Sequence, residues 1–263
     1  MAESVETYRG SVKAWECDSF GHFTVAYYFA RFAEASAAML AALREKGLLA
    51  AGEAWRSSAF VARFERELRA GDGLHIFTSV AEQKAGLLGF AHRLVNSMSG
   101  ESATSASETL SPGGFSDASA AAAPGENFMV GARDLVRADE LDREGRLALA
   151  GYIHRCSASS VQLLGAAGIT PDYLRANARG FATFEIRFAL HGERPRAGAR
   201  LEVESALGRL GASSLEMLHR VREAASGRLL ASGSQSGAHF DLKSRRSTPI
   251  PPELRERAAK FVV

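Results

Sequence analysis

The chain has 263 residues, of which 46% are hydrophobic and 24% charged, so its length allows one large domain or two small ones. A net charge of +2 gives no excess of Lys and Arg for a nucleic-acid backbone or an anionic membrane, and two cysteines exclude a disulfide scaffold or a Cys-rich zinc site. No apolar run reaches the roughly 20 residues of a membrane span, and the N-terminus lacks the apolar core of a signal peptide, so we expect a cytoplasmic protein.

The first predicted elements are a short strand near Tyr8 to Ala14 and a long amphipathic helix. Apolar residues of the helix recur at spacings of three and four: Val25, Tyr28, Phe29, Phe32, Met39, Leu40 and Leu43. Thr24 can cap the start of this helix and Gly47 can end it. Two strands are then predicted, over Gly73 to Glu82 and over Leu87 to Asn96.

A segment without helical or strand periodicity follows these elements. It runs from Ser111 to Gly125 and is rich in Ala, Gly and Pro. Such a composition buries little apolar surface and is typical of a linker. We therefore predict a first domain at 1–111, a linker at 112–129 and a second domain at 130–263.

The second half of the chain repeats the order of elements. A helix rich in Ala, Ser and Gly is predicted over Leu149 to Leu164. The alternation of Leu201 to Leu207 predicts a strand, and Leu215 to Val221 predicts its partner. One helix followed by a meander of strands is an α+β pattern and not a βαβ pattern.

Matching residues indicate that the two halves are copies of one module. The pairs are Gly21 with Gly145, Tyr28 with Tyr152, Arg63 with Arg187, His92 with His219, and Gly100 with Gly227. The first three pairs are 124 positions apart and the last two are 127 apart, so one small insertion explains the whole series.

The loop before the first helix carries the candidate chemistry. Its sequence is Asp18-Ser-Phe-Gly21-His22, and Tyr28 follows the histidine by six residues. This segment resembles the Asp-x-x-Gly-His signature of hotdog-fold thioesterases, which include the hydroxybenzoyl-CoA thioesterase group and the acyl-ACP thioesterases. Arg69 to Asp72 and the tail from Ser247 to Pro252 are similar to further family segments, so the resemblance covers nearly the whole chain.

The resemblance implies a tandem double hotdog. Two α+β modules would each wrap an antiparallel sheet around a long helix, and the two sheets would pair side by side. It implies hydrolysis of an acyl-CoA or acyl-carrier-protein thioester, without a metal or an organic cofactor. Neither a nucleic acid nor a membrane is an expected partner, and association of tandem units into a homo-oligomer is compatible with the family.

Hydrolysis of a thioester needs a base or nucleophile and a stabilised oxyanion. A carboxylate before a helix can be the base or nucleophile. The unpaired N–H groups of the helix N-terminus can stabilise the oxyanion. By the resemblance, Asp18 is the acid/base or nucleophile, and His22 orients the loop or the thioester. The other expected site positions are two oxyanion amides and two substrate-lining residues: Thr24, Val25, Gly21 and Tyr28.

Structural roles are the alternative interpretation of each residue. Outside its motif, Asp18 would be a cap or a solvated turn, His22 a packing histidine and Tyr28 a core residue. Cys17 is expected to be a small buried hydrophobe. Arg63 is expected on a solvated strand face.

Three departures from the family pattern limit the resemblance. Phe23-Thr24-Val25 replaces the Asn pair that often follows the motif's His, and Arg63 stands where plant acyl-ACP thioesterases carry a Glu. In the second module Asp142 remains, but Arg146 replaces the histidine. Asp142 is therefore a possible second site, in a copy that either keeps weak activity or only completes the first.

Two other functions stay open. Gly21-His22-Phe23 resembles the start of the Gly-His-Phe-Pro motif of hotdog dehydratases and hydratases, but Thr24 replaces the proline. A non-catalytic acyl-binding module is the second alternative, because the second copy has lost the histidine. The Gly-x-Ser-x-Gly elbow of α/β-hydrolases is missing, since Gln235 stands at the Ser position, and the seven histidines show no metal-binding spacing.

Overall fold

The computed structural model describes residues 4–84, 86–112 and 127–263. The chain divides into two compact units. Of the described residues, those up to Pro112 and Ala148–Ile153 form the first unit, and 127–147 with His154–Val263 form the second.

The first module consists of a long helix and an antiparallel sheet, as the α+β prediction requires. Its elements are β1 (Val5–Ser11), a short 3-10 helix (Ala14–Glu16), α1 (Val25–Glu45), β2 (Trp55–Phe64), β3 (Gly73–Lys84), β4 (Leu87–Asn96) and β5 (Ser102–Pro112). Its strands lie side by side in the order β1-β3-β4-β5-β2. Gly47 has a φ of 70° just after α1, which confirms it as the residue that ends the helix.

The second module has the same core of elements and some additions. They are β6 (Met129–Leu135), a 3-10 helix (Ala138–Glu140), α2 (Leu149–Ala166), α3 (Pro171–Ala176), β7 (Arg179–Leu190), β8 (Arg200–Leu210), β9 (Ser214–Glu223), β10 (Leu229–Asp241), β11 (Arg246–Ser247) and α4 (Pro252–Ala259). Its strands lie in the order β7-β10-β9-β8-β6, and β11 pairs with β10.

The predicted repeat is visible in the element bounds. Both β4 and β9 have ten residues, and they start 127 positions apart, at Leu87 and Ser214. The two long helices start 124 positions apart, at Val25 and Leu149. The segment 113–126, which holds most of the predicted linker at 112–129, lies outside the described residues. The domain boundaries stay a prediction.

The apolar face of α1 fixes this helix against its own sheet. Its C-terminal half packs with β4 and β5 in one buried cluster: Met39, Leu40, Leu43, Leu49, Leu88, Phe90 and Leu110. In its N-terminal half, Phe29 and Phe32 are fully buried and contact Phe60 of β2. Each such side chain contributes roughly 1.5–3 kcal/mol by leaving water. The helix start, and the loop before it, are thereby held over the sheet.

The C-terminal tail belongs to the core of the second module. Leu254 and Ala258 of α4 pack with the end of α2 and with β8 and β9. Val262 then pairs in parallel with Leu207 of β8. The segment that resembles the family's tail therefore completes this module's core.

Candidate functional site

The loop between β1 and α1 is a tight turn built around Asp18. Asp18 Oδ1 accepts hydrogen bonds from the amides of Phe20 (2.8 Å) and His22 (3.0 Å). The Asp18 amide donates to the His22 carbonyl (2.8 Å), and the Gly21 amide donates to the Asp18 carbonyl (3.0 Å). Gly21 has a φ of 78°, a conformation that a residue with a Cβ rarely adopts.

The turn leaves one carboxylate oxygen of Asp18 available. Asp18 is exposed to solvent, and Oδ1 is held by two backbone amides. Among the described residues, none donates a hydrogen bond to Oδ2 or forms an ion pair with it. A carboxylate with one anchored and one open oxygen can accept a proton or attack an electrophile in a fixed direction.

His22 joins this loop to the turn between β2 and β3. Its Nε2 lies 3.1 Å from Nη2 of Arg69 and 3.3 Å from Oε2 of Glu67. With its proton on Nδ1, His22 accepts from Arg69 through Nε2, and with a proton on Nε2 it donates to Glu67. The Phe20 ring stacks on His22 at a centroid distance of 6.4 Å. This geometry agrees with an orienting role for His22.

The start of α1 corrects one predicted donor. The Thr24 amide donates to the carbonyl of Glu16 (2.9 Å), so it is already used and does not face a substrate carbonyl. Thr24 occupies the N-cap position, but its side chain makes no capping hydrogen bond. The Val25 amide has no acceptor among the described residues, which leaves it as the predicted oxyanion donor still available.

Glu16 anchors the loop to α1, a role that no sequence pattern predicted. Glu16 is 5% exposed, and its side chain forms an ion pair with Arg31 of α1 and accepts a hydrogen bond from the Lys13 amide (2.9 Å). Its carbonyl holds the Thr24 amide as described. The only available sequence signal was the repeat, because Glu140 and Arg155 form the same pair 124 positions later.

Tyr28 is a buried core residue, and Cys17 is a half-buried residue of the loop. Tyr28 is 3% exposed, and its ring contacts Phe23 and Phe64. Burial raises the pKa of the Tyr28 hydroxyl, with a smaller opposing effect from the Leu68 backbone hydrogen bond. The structure thus puts Tyr28 in the core beneath the loop. Cys17 is only half-buried, not buried as expected, and its Sγ lies 3.6 Å from the Lys13 carbonyl.

The equivalent loop of the second module has the same turn, but both oxygens of its aspartate are bound. Asp142 Oδ1 accepts from the amides of Glu144 (2.9 Å) and Arg146 (3.1 Å). Asp142 Oδ2, however, is bound by Nη1 of Arg194 at 2.6 Å. Arg146, which replaces the histidine, donates to the Arg194 carbonyl and to Glu193. Loop shape is therefore conserved between the modules, whereas carboxylate access is not.

A second polar feature, which the sequence did not reveal, crosses the core of the first module. We call it the first polar layer, and it takes one residue from each strand in sheet order and one from α1: Thr7, Thr78, His92, Glu108, Ser57 and Ser36. Glu108 is 2% exposed and accepts hydrogen bonds from the hydroxyls of Ser36 and Ser57. His92 Nδ1 lies 2.9 Å from the Thr78 hydroxyl.

The second module has a matching layer with an amide in place of the carboxylate. Its members are Ser205, His219, Gln235, Thr183, Ser160 and Ser159. Gln235 Oε1 accepts from Ser160 (3.2 Å), and its Nε2 donates to Thr183 (2.6 Å). Burial lowers the pKa of His219 to about 4. A neutral histidine and a neutral amide therefore replace the His92–Glu108 pair.

Neither a metal site among the described residues nor a reactive thiol at Cys156 adds to these features. The described residues contain no cluster of three or more His, Cys, Asp and Glu that could hold a metal ion. Burial raises the pKa of the Cys156 thiol to about 12, so the thiolate that nucleophilic chemistry needs is not formed near neutral pH.

Comparison with known families decides the class of the chain. A profile described as the thioesterase-like superfamily matches residues 12–112 and 136–258, which is one segment in each module. The chain belongs to the thioesterase-like superfamily. This membership supports a thioester hydrolase, and it favours neither the dehydratase nor the acyl-binding alternative. None of the curated proteins compared with the sequence matches it.

Solved structures agree with the superfamily at the level of the fold. Similar ones are a putative oleoyl thioesterase from Lactobacillus plantarum, an acyl-ACP thioesterase from Bacteroides thetaiotaomicron and the 12:0-ACP thioesterase from Umbellularia californica. Their TM-scores are 0.67, 0.65 and 0.63, and their sequence identities 10%, 12% and 9%. They cover 90%, 88% and 90% of this chain, and the matches span 96%, 96% and 94% of theirs. The tandem double-hotdog prediction is confirmed.

No helix among the described residues is both long and apolar enough to span a bilayer.

Proposed function

We propose that this thioesterase-like chain hydrolyses an acyl-CoA or acyl-carrier-protein thioester at the Asp18–His22 loop of its first module. The observation that carries the proposal is the asymmetry of the Asp18 carboxylate. Its Oδ1 is fixed by the Phe20 and His22 amides, while Oδ2 of this exposed residue has no hydrogen-bond or ion-pair partner among the described residues. The fixed oxygen sets the direction in which the open one can act.

Asp18 would act as base or as nucleophile. As a base, Oδ2 takes a proton from a water molecule whose oxygen attacks the thioester carbon. The tetrahedral oxyanion then collapses, the C–S bond breaks, and the leaving thiolate takes the proton from Asp18. As a nucleophile, Oδ2 forms an acyl anhydride and expels the thiolate, and water then cleaves the anhydride. A positioned general base contributes about 10²- to 10⁴-fold to a rate.

The start of α1 would stabilise the oxyanion. The Val25 amide is an unpaired donor at the positive end of the helix dipole. One such donor contributes about 3–4 kcal/mol to lowering a barrier of this kind. Glu16 and Arg31 would support this step indirectly, because they tie the loop to the helix that carries the donor.

The second loop would carry no chemistry of its own. Asp142 has the same turn as Asp18, but Arg194 binds the oxygen that would have to react. Arg146 replaces the orienting histidine and is itself engaged by Glu193. We therefore assign one working site to the chain.

Two of the similar structures are acyl-ACP thioesterases by name, which supports testing carrier-bound as well as CoA-bound acyl groups. The test is release of free thiol from a panel of acyl-CoA and acyl-carrier thioesters of different chain length. Turnover of any member supports the proposal. Hydration of an enoyl thioester without thiol release would point to a hydratase, and acyl-thioester binding without either reaction would point to a binding module.

The cytoplasm as compartment, and assembly of tandem units into a homo-oligomer, are part of the same proposal. Sedimentation of the pure protein distinguishes a single chain from an oligomer.

A further inference from the structure

Positions 67 and 194 carry opposite charges at the same place in the two modules. The turn after β2 accepts a hydrogen bond from the Phe23 amide at the Leu68 carbonyl (2.7 Å). In the second module the Leu147 amide donates to the Pro195 carbonyl (2.8 Å) in the same way. The residues immediately before these carbonyls are Glu67 and Arg194, so one module has an acid where the other has a base.

The two loops that face these positions share one backbone conformation. The turn hydrogen bond from Gly21 to Asp18 and that from Gly145 to Asp142 both measure 3.0 Å. The side-chain hydrogen bonds of the two aspartates to the same loop positions differ by 0.1 Å. The access of the carboxylate therefore differs because of the side chain opposite it, and not because of the loop.

That side chain makes different contacts in the two modules. Arg194 Nη1 binds Asp142 Oδ2 at 2.6 Å, and its Nη2 lies 3.6 Å from Glu144. Glu67 cannot bind a carboxylate in this way, and its Oε2 instead lies 3.3 Å from His22 Nε2. The acid thus engages the histidine and leaves the aspartate open.

We propose that the residue at this turn position determines whether an Asp-x-x-Gly loop is competent, with Glu67 keeping the first loop open and Arg194 closing the second. This inference rests on the proposed function of Asp18. Glu67 is a positioning residue here, since it acts through His22 and puts an acid at the turn position where the second module has Arg194. An arginine bound to a carboxylate stabilises its charged form and occupies the oxygen that must take a proton or attack.

The first experiment measures access directly and does not depend on activity. The folded protein is treated with a water-soluble carbodiimide and an amine, and the labelled carboxylates are identified by peptide mapping. In the wild type, Asp18 should be labelled and Asp142 largely protected. Arg194→Ala should raise labelling of Asp142 towards that of Asp18. Equal labelling of both residues in the wild type would overturn the proposal.

The second experiment places an arginine at position 67, so that the first module has the same residue as the second module has at Arg194. Glu67→Arg should lower kcat for thiol release by at least about 10²-fold, with KM changed much less. Glu67→Gln, which keeps an oxygen acceptor for His22 and adds no cation, should lower kcat much less than Glu67→Arg does. Because the new ion pair is partly exposed, 1 M NaCl should restore part of the Glu67→Arg activity, since the Debye length falls to about 3 Å.

The outcomes separate this inference from the proposed function. If Asp18→Asn is inactive but Glu67→Arg keeps wild-type kcat, the inference about positions 67 and 194 is wrong and Asp18 retains its role. If Glu67→Arg is inactive, melts as the wild type does and does not respond to salt, the loss of activity has another cause. The inference about positions 67 and 194 is again wrong. If Asp18→Asn is fully active, the proposed function itself fails. The labelling result stands even if Glu67→Arg does not fold.

Discussion

Glu108 Oε2 lies 3.2 Å from His92 Nε2 in the centre of the first module, and neither side chain is more than 1% exposed. Ser36 and Ser57 donate hydrogen bonds to the two oxygens of Glu108, so the buried carboxyl group is surrounded by polar partners. A buried charged group without such partners would be strongly destabilising.

The second polar layer predicts which replacement of Glu108 is tolerated. Gln235 occupies the equivalent position, 127 residues later, where it bonds Ser160 and Thr183, and Ser160 also contacts His219. We expect Glu108→Gln to fold and to change the free energy of unfolding by less than about 1.5 kcal/mol. Glu108→Ala should cost about 3–5 kcal/mol, because it removes the hydrogen-bond partner of His92 and of two serines in the core. Urea denaturation measures both, and a Glu108→Gln variant as unstable as Glu108→Ala would refute this interpretation.

Close approach of strand and helix predicts a second stability effect, at Gly131. A Cβ at this position would clash with Ser159 Oγ and would lie 2.9 Å from the Ser159 Cα and carbonyl oxygen. Gly131→Ala should therefore destabilise the protein by about 1–3 kcal/mol. Adding Ser159→Ala should recover only part of this loss, because two of the three close atoms belong to the backbone. Thermal melts of the single and double variants check this prediction. Full recovery of stability in the double variant would show that the Ser159 side chain alone was the obstacle.

The neutral His219 predicts a dependence of stability on pH. Its pKa is about 4 when folded, because burial lowers it, and 6.5 is the ordinary value. Between these pH values the unfolded chain binds more protons, so stability should fall as the pH drops from about 6.5 to 4. This histidine alone should account for about 3 kcal/mol. Burial also lowers the pKa values of His154 and His191, which act in the same direction.

Two measurements check the role of His219. Denaturation midpoints between pH 7 and pH 4.5 should decrease, and the NMR signal of the His219 ring should stay that of the neutral form over this range. A His219 signal that titrates near pH 6.5 in the folded protein would contradict the prediction.

The anchors of the two loops allow a matched comparison of stability with activity. Glu16 pairs with Arg31 in the first module, and Glu140 pairs with Arg155 in the second. After removal of the acid, Arg31 keeps its ion pair with Glu34 and Arg155 keeps its ion pair with Asp134. Glu16→Ala and Glu140→Ala should therefore each cost about 1–3 kcal/mol, the range for loss of a hydrogen bond to a charged group. Below the melting temperature, only Glu16→Ala should reduce thiol release, because it loosens the loop that carries Asp18. Equal loss of activity in both variants would mean that activity follows overall stability.

Sequence patterns predicted the fold well because each pattern has a local physical cause. The spacing of apolar residues such as Phe29 and Phe32 predicted α1, and both are fully buried in it. Gly21 and Gly145 were matched as repeat partners, and they have φ values of 78° and 69° in equivalent turns. The repeat therefore holds for backbone conformation as well as for residue type.

The parts that sequence patterns missed depend on contacts between distant strands. His92 and Glu108 were single polar residues within strands, and only the register between β4 and β5 brings them together. Glu67 and Arg194 were ordinary charged loop residues until their partners were known. The Thr24 amide looked free because its acceptor, the Glu16 carbonyl, lies in the folded loop. Such pairings follow from tertiary structure and leave no periodic signal.

In the proposed function, one open carboxylate, Asp18, does the chemistry. The most direct measurement is kcat for thiol release by Asp18→Asn beside Asp142→Asn, on the best substrate of the thioester panel. We predict a loss of about 10²-fold or more for Asp18→Asn and near wild-type activity for Asp142→Asn, with both proteins folded. Wild-type activity in Asp18→Asn, or an equal loss in both variants, would contradict the account.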